Sequence, residues 1–365
     1  LFFDEVQNLK DWAPQIKALV DLQTVRVMVT GSSALRIKAG HDSLAGRVTT
    51  VEIGTLHLCE IAGIRYKREL PSMLQDNGVA NLKEFDFWTE LKRRGAENKE
   101  LRDTAFLAFS ERGGYPMAQG RADRPWEEIA ESLNETVVQR AIVHDLRSGD
   151  AGRKRDRQLL EEVFRLACRY AGQAPGQPIL VQQIRQAMGS DRGYNTIRNY
   201  LQFLDDTLLI KLIKPLELRL KKKKGFDKIC LCDPGIRSSW LKEPVPLDDR
   251  SLLKQPHLTE LAGHLAESVC GYFAGTLPNS DTAHFPARGA EPEVDFILTV
   301  GDKRIPIEVK YQGVIKDEDS IGLRAFIEKT AYDASFGILL TRRDGLEVRD
   351  PRIISMPLSS FLLLY

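Results

Sequence analysis

Residues 1–5 read Leu-Phe-Phe-Asp-Glu, an apolar run that leads directly into two carboxylates. Apolar residues spaced as on one face of a helix follow at residues 9–22, and a second β-rich run, residues 25–29, ends in a turn. A further short strand is expected at residues 48–53. Because strand and helix alternate in units of this size, the sequence predicts an α/β fold with a parallel sheet covered by helices.

The overall composition restricts the class of protein. The 365 residues include 52 Lys and Arg against 51 Asp and Glu, which excludes a globally basic nucleic-acid-binding protein but not a local basic patch. This length predicts two or three domains. No apolar run approaches the roughly 18 residues of a membrane span. Since there is also no opening signal peptide and the five cysteines are scattered, we expect a cytoplasmic protein without membrane contact.

The middle of the chain has the pattern of a winged helix. Helices with charged outer faces are predicted from about residue 70 to residue 146, and a charged, glycine-containing stretch at residues 148–155 is interpreted as a linker. Three helices and then two β-like runs are predicted at residues 159–170, 181–188, 195–204, 208–212 and 228–232. Three helices followed by a two-stranded hairpin are typical of a winged helix, a variant of the helix-turn-helix.

The last third of the chain returns to alternating helices and strands. Helices are predicted at residues 259–274 and 323–330, and strands at residues 294–300, 304–309 and 336–340. We therefore predict three domains, with limits at residues 1–150, 151–245 and 246–365.

Asp4 and Glu5 stand where a Walker B motif has its two acids. In that motif the first acid ends an apolar strand and lies beside Mg²⁺, and the second orients the water that attacks ATP. A second strand ends about twenty-five residues later in Thr30-Gly31-Ser32-Ser33, where an ATPase places a polar sensor near the γ-phosphate. We expect the guanidinium of Arg47 to reach a phosphate of the nucleotide. The alternative is a strand that merely ends in acidic residues at the surface.

Positive charge is concentrated around the predicted wing. Seven basic residues fall within fourteen positions: Lys211, Lys214, Arg219, Lys221, Lys222, Lys223 and Lys224. They follow the third helix, where a wing contacts the DNA backbone, and Asn195 and Arg198 lie on the polar face of the predicted recognition helix. DNA is therefore an expected partner. The alternative is a solvated lysine-rich turn on a winged helix that serves only for packing against protein.

The sharpest chemical pattern lies in the strands of the last third. Side chains alternate along a strand, so Glu308 and Lys310 point to the same side, and Asp295 begins the preceding strand. Glu267, on the helix at residues 259–274, is a fourth candidate. This is the PD-(D/E)xK arrangement, in which carboxylates bind Mg²⁺ and a lysine stabilises charge or positions water. The alternative is a structural ion pair at a strand surface.

Several short stretches, in order along almost the whole chain, resemble prokaryotic AAA+ ATPases that carry a C-terminal winged helix and a PD-(D/E)xK nuclease-like domain. They are LFFDEVQN (1–8), TGSS (30–33), LAGR (44–47), GGYP (113–116), DPG (233–235), EVDF (293–296) and IEVKY (307–311). The resemblance implies ATP and Mg²⁺ as ligands, with Asp4, Ser32, Ser33 and Arg47 in contact with them. It also implies a homo-oligomer and a P-loop upstream of Leu1, because no G-x-x-x-x-G-K-[S/T] sequence occurs in these residues.

The predicted architecture is a partial P-loop AAA+ domain, a winged-helix domain and a restriction-endonuclease-like α/β domain. The function that follows is a DNA-associated ATPase with a metal-dependent nuclease-like module. Its expected catalytic residues are Glu5, Asp295, Glu308 and Lys310, and its expected metal ligands are Asp4, Glu267, Asp295 and Glu308. The alternative is a non-catalytic regulatory or interaction protein, in which the DNA elements serve for binding only.

Overall fold

A computed structural model describes residues 1–6, 9, 11–22, 25–31, 44, 47–49, 51–74, 78–144, 156–190, 192–217 and 225–365. Among these residues, no helix is both long and apolar enough to cross a membrane. The predicted linker at residues 148–155 and the lysines at residues 221–224 lie outside the described residues.

The N-terminal segment contains a two-stranded parallel sheet. Its elements are strand β1 (Phe2–Phe3), helix α1 (Trp12–Leu22) and strand β2 (Met28–Val29). Trp12 of α1 packs against Val6 and Leu44 in a small buried cluster. The predicted strand, helix and strand are therefore confirmed, and so is the parallel pairing of the two strands.

The strand predicted at residues 48–53 is wrong. The described residues of this stretch have no strand conformation, and the side chains of Val51 and Ile53 are 79% and 88% exposed. A strand is stabilised by a paired neighbour and by packing of at least one face. These apolar side chains lie in solvent, so their alternation alone does not produce a strand.

Helices dominate residues 58–144, and they begin before residue 70, where the sequence first predicts them. They are α2 (Leu58–Tyr66), α3 (Phe85–Glu97), α4 (Lys99–Arg112), α5 (Pro116–Gly120), α6 (Trp126–Leu133) and α7 (Arg140–His144), with a π-helical segment at Asn134–Gln139. The buried Arg102 of α4 donates to Gly95 O at 3.0 Å and to Ser360 Oγ at 2.7 Å. These hydrogen bonds connect the helices of residues 58–144 to Ser360, which follows the last strand of the C-terminal sheet.

Three helices and an antiparallel strand pair follow, in the order that the sequence predicts. They are α8 (Arg157–Arg169), α9 (Gln177–Met188), α10 (Tyr194–Asp206), β3 (Ile210–Pro215) and β4 (Lys228–Leu231). Ile210 of β3 lies opposite Leu231 of β4. Two further helices, α11 (Pro234–Leu241) and α12 (Asp249–Lys254), lead to the last third of the chain.

The last third adds five strands to the sheet begun by β3 and β4. Its elements are α13 (Thr259–Gly275), β5 (Asp281–Phe285), β6 (Val294–Val300), β7 (Lys303–Lys310), α14 (Ile321–Ile327), β8 (Gly337–Thr341), β9 (Ile353–Pro357) and α15 (Leu358–Phe361). The strand order is β4-β3-β5-β6-β7-β8-β9. The β3–β5, β7–β8 and β8–β9 pairs are parallel and the other pairs are antiparallel.

One buried hydrophobic cluster runs through all parts of the chain from Leu58 to Leu364. Across the predicted limit at residue 245, β3 pairs with β5, with Lys214 opposite Ala283 and Pro215 opposite His284. The predicted limit at residue 150 lies outside the described residues. The three-domain division therefore stays a prediction, and the strands on the two sides of residue 245 belong to one sheet.

Two of the short stretches quoted above, GGYP and DPG, meet in the fold. The buried Asp233 accepts hydrogen bonds from the N–H groups of Gly114 and, at 2.7 Å, of Gly235. Gly113 has φ 72° and ψ −166°, a conformation essentially restricted to glycine. Burial raises the pKa of Asp233 to about 7. These stretches join the end of α4 to the start of α11, so they have a structural role.

Candidate functional site

Asp4 and Thr30 follow β1 and β2 at the same edge of the parallel pair. The Thr30 hydroxyl donates to Asp4 Oδ1, and the Glu5 N–H donates to the same oxygen at 3.1 Å. Glu5 is half-buried and has φ 54°, in the left-handed region that few residues other than glycine adopt. A carboxylate and a hydroxyl thus meet at the carboxyl ends of adjacent parallel strands, the edge at which α/β sheets bind ligands.

The other predicted ATP contacts are only partly described. Ser32 and Ser33 lie outside the described residues. Arg47 is exposed, and its Nε lies 2.7 Å from Asp21 Oδ1, which places the guanidinium against the end of α1. The contact of Arg47 with phosphate stays a prediction.

Helix α10 presents a polar face to solvent. Ile197 and Leu204 are fully buried against the neighbouring helices, whereas Asn195 and Arg198 are exposed. Lys214, on the following strand β3, is exposed as well. The predicted recognition helix therefore has the amphipathic character that DNA contact would require, and its role toward DNA stays a prediction.

Asp295, Glu308 and Lys310 come together on the antiparallel strands β6 and β7. Lys310 Nζ lies 2.6 Å from Glu308 Oε1. The Val309 N–H donates to Asp295 Oδ2 at 2.9 Å, and the Asp295 N–H donates to Glu308 Oε2 at 3.3 Å. Both acids are buried. The positions follow the sequence-based prediction, while the catalytic roles stay predictions.

Lys228, the first residue of β4, is a member of this cluster that sequence reasoning misses. Its side chain is only 3% exposed, and its Nζ lies 3.0 Å from Asp295 Oδ1 and 3.2 Å from Glu267 Oε2. The ammonium also lies 4.8 Å from the centre of the Phe296 ring, a cation–π contact. The sequence around Lys228 gives little indication of this role, because a lysine at the start of an apolar strand is common. Its partner Asp295 is also 67 residues away in the chain.

Burial and the two ammonium groups set the charge state of the cluster. Burial would raise the pKa of Asp295, but the Lys228 ammonium, the Val309 N–H and the Lys310 ammonium together outweigh burial and hold this pKa below its ordinary value. Burial would likewise lower the pKa of Lys228, but Asp295 and Glu267 keep it above its ordinary value. Burial, and then the nearby charge of Asp295, raise the pKa values of Glu267 and Glu308. Asp295 and Lys228 therefore form the charged pair at the centre.

The three magnesium ligands predicted in this cluster, Glu267, Asp295 and Glu308, do not fit Mg²⁺ in this arrangement. Mg²⁺ is bound by oxygen atoms at about 2.0–2.1 Å. Here a buried ammonium bridges two of the predicted ligands, Asp295 and Glu267, and a second ammonium binds Glu308. Across the described ranges, no group of three His, Cys, Asp or Glu side chains is arranged to hold a metal ion.

A separate cleft of about 610 Å³ lies between the segment before α2 and the surface formed by β3, β4 and α13. Its lining includes Leu56, Phe273 and Tyr365, together with Lys211 at one side. None of the catalytic or metal-binding residues predicted from the sequence lines it. The cleft is mostly apolar and is therefore distinct from the charged cluster around Asp295.

Comparison with known proteins supports one part of this picture. A family model described as an AAA domain matches residues 1–62. Two models described as domains of unknown function match residues 104–245 (DUF8612) and residues 263–361 (DUF4143). A search of the curated proteins finds no match. The chain is thus similar to an AAA domain over the segment that holds Asp4, Glu5 and Thr30, which supports an AAA-type, ATPase-associated protein and suggests nucleotide binding.

Proposed function

We propose that this chain belongs to a DNA-associated ATPase and supplies its Walker B acids and polar sensor strand. The observation that carries this proposal is the hydrogen bond from the Thr30 hydroxyl to Asp4 at the carboxyl edge of the β1–β2 pair. The match of residues 1–62 to an AAA domain supports it. In this proposal Asp4 holds the Mg²⁺ of the bound ATP, Thr30 orients Asp4, and Glu5 prepares the attacking water.

The proposal is tested by ATP hydrolysis in the ATPase to which we propose this chain belongs, with and without DNA. Thr30→Val keeps the size of the side chain but removes the hydroxyl that orients Asp4. We expect turnover to fall by roughly 10–100-fold, as is usual when a group that orients a metal ligand is removed. A steady-state phosphate-release assay measures the change.

Thr89→Val is the matched control for this test. Thr89 is an exposed residue of α3 whose hydroxyl bonds to its own helix, at Phe85 O. Its replacement should leave turnover unchanged. If Thr30→Val and Thr89→Val hydrolyse ATP equally fast, the Thr30–Asp4 contact has no part in hydrolysis and the proposal loses its main support.

DNA is the partner we propose for the polar face of α10 and for the lysine run that follows β3. This unit has three helices and then an antiparallel strand pair, and Asn195 and Arg198 are exposed on its third helix. Lysines bind the phosphate backbone without regard to base sequence, and each contact releases counterions. The binding should therefore weaken steeply as the salt concentration rises.

Alanine at residues 221–224 should flatten the plot of log K against log salt concentration by up to about 3–4 units, because each phosphate that a lysine neutralises adds ~0.9 to the slope. Arg198→Ala alone should flatten it by about 0.9 if the arginine binds one phosphate. Fluorescence anisotropy with duplex DNA over a salt series gives both slopes. Arg349→Ala is the control, because this arginine is 93% exposed and lies outside the proposed surface. Unchanged slopes in the first two variants would remove this surface from the DNA interface.

For the C-terminal sheet we propose a binding or scaffold role in place of metal-dependent cleavage. The nuclease activity expected from Asp295, Glu308 and Lys310 requires a divalent cation among the carboxylates. The ammonium of Lys228 lies between the carboxylate of Asp295 and that of Glu267, the further acid of this cluster. This contact is the specific observation that favours the scaffold over the nuclease.

A further inference from the structure

We infer that Lys228 serves as a permanent internal cation of the carboxylate cluster formed by Glu267, Asp295 and Glu308, so that this site binds an ammonium in place of a divalent metal. The inference concerns this cluster alone. It rests on the scaffold role proposed above for the C-terminal sheet, and it depends neither on ATP hydrolysis nor on DNA binding by the rest of the chain.

The first argument is the position of the ammonium. Lys228 Nζ makes two ion pairs, at 3.0 Å to Asp295 Oδ1 and at 3.2 Å to Glu267 Oε2. A cation bound to the same two oxygens would lie within a few ångströms of the Lys228 ammonium, where like charges repel strongly in a buried site. The lysine side chain is almost completely buried and cannot move into solvent without opening the packing around it.

The second argument is that the carboxylate oxygens already have partners in the protein. Asp295 Oδ2 accepts the Val309 N–H at 2.9 Å. Glu308 Oε1 binds Lys310 Nζ at 2.6 Å, and Glu308 Oε2 accepts the Asp295 N–H at 3.3 Å. Together with the pair between Asp295 Oδ1 and Lys228, all four oxygens of these two acids are engaged. Metal binding would have to disrupt several of these contacts.

The third argument is the balance of charge. Buried carboxylates that lie close together need compensating positive charge, which a divalent metal supplies in a metal centre. Here Lys228 and Lys310 supply two positive charges to the three acids, and the Phe296 ring gives the Lys228 ammonium a further favourable contact. The cluster is therefore stabilised from within the chain, and Lys228 links β4 to both β6 and α13.

The test is a calorimetric titration of Mn²⁺ into the full chain and into Lys228→Met, which keeps an unbranched side chain only one atom shorter but removes the charge. We expect no binding to the wild-type chain and binding of one Mn²⁺ to Lys228→Met. Mn²⁺ should also raise the Tm of the variant and leave that of the wild type unchanged. Lys303→Met is the control, because this lysine lies at the far end of β7 and pairs with the exposed Asp333, so its replacement should create no site.

Two further variants keep the test decisive if Lys228→Met does not fold. Lys228→Arg retains a cation and should remain folded without binding Mn²⁺. Lys228→Met combined with Glu267→Gln removes one positive and one negative charge together, and should fold and bind Mn²⁺ through Asp295 and Glu308. Stoichiometric Mn²⁺ binding by the wild type would overturn the inference, and plasmid nicking in the same sample would support a nuclease. A folded Lys228→Met chain, alone or combined with Glu267→Gln, that binds no Mn²⁺ would overturn it equally.

Discussion

Glutamine in place of Glu5 should lower ATP turnover by roughly 10²–10⁴-fold, the usual contribution of a general base, while ATP stays bound. The amide of glutamine cannot accept the proton of the attacking water, whereas Asp4, which we propose as the ligand of the ATP-bound Mg²⁺, is unchanged. The measurement is phosphate release by the ATPase to which we propose this chain belongs, beside the affinity for a fluorescent ATP analogue. We expect the variant to retain its affinity for the analogue while its turnover falls by this factor.

The backbone at Glu5 gives this prediction a structural basis. A glutamate at φ 54° is in an unfavourable conformation, which costs of order 1–3 kcal/mol and occurs preferentially at functional sites. The Glu5 N–H bonds to Asp4 Oδ1 at 3.1 Å, the oxygen that also accepts the Thr30 hydroxyl. The conformation therefore holds the two acids in a fixed relation at the strand end.

Glu69→Gln is the control for this substitution, since Glu69 is an exposed glutamate that follows α2. It should hydrolyse ATP at the unchanged rate. If Glu5→Gln also turns over ATP at that rate, Glu5 does not activate the water. Asp4 and Glu5 would then be acidic residues at the surface end of β1 without a role in hydrolysis, which is the alternative interpretation of this sequence.

Local sequence patterns predicted most of the helices and strands because those elements bury one face. Helix α13 was expected at residues 259–274 and spans Thr259–Gly275, and the strand expected at residues 294–300 is Val294–Val300. The same reasoning placed Glu308 and Lys310 on one side of β7, where their side chains form an ion pair. The alternation of apolar residues wrongly predicts a strand around Val51 and Ile53, because these two side chains are exposed and pack against no core.

Contacts between distant parts of the chain could not be predicted in this way. The β3–β5 pairing involves two residue pairs, with Lys214 opposite Ala283 and Pro215 opposite His284, and no motif in either strand specifies the other. The ion pair between Lys228 and Asp295 is equally non-local. For this reason the sequence suggested a metal centre at Asp295, whereas the fold brings a lysine to it.

Alanine in place of Gly113 should destabilise the fold by about 2–6 kcal/mol, for two reasons that add. The backbone conformation of Gly113, φ 72° and ψ −166°, costs a residue with a Cβ about 1–3 kcal/mol. A Cβ at this position would also overlap the carboxylate of Asp233, and such overpacking typically costs about 1–3 kcal/mol. Denaturant unfolding of the full chain measures the free energy change.

Gly189→Ala separates the two reasons. Gly189 ends α9 at φ 62° with open space around its missing Cβ, so alanine there meets only the cost of the left-handed backbone, about 1–2 kcal/mol. If Gly113→Ala loses no more stability than Gly189→Ala, the Asp233 carboxylate moves away from the new Cβ without lowering the free energy of unfolding. The carboxylate would then not be fixed by its bonds to Gly114 and Gly235.

A double-mutant cycle tests the overlap directly. Asp233→Ala alone should destabilise the chain, because the N–H groups of Gly114 and Gly235 lose their acceptor in a buried site. Once the carboxylate is gone, however, a Cβ at Gly113 has room. The double variant should therefore be more stable than the sum of the two single effects predicts, by about 1–3 kcal/mol. Simple additivity would mean that the cost at Gly113 is backbone strain alone, and that GGYP and DPG are joined by hydrogen bonds but not by close packing.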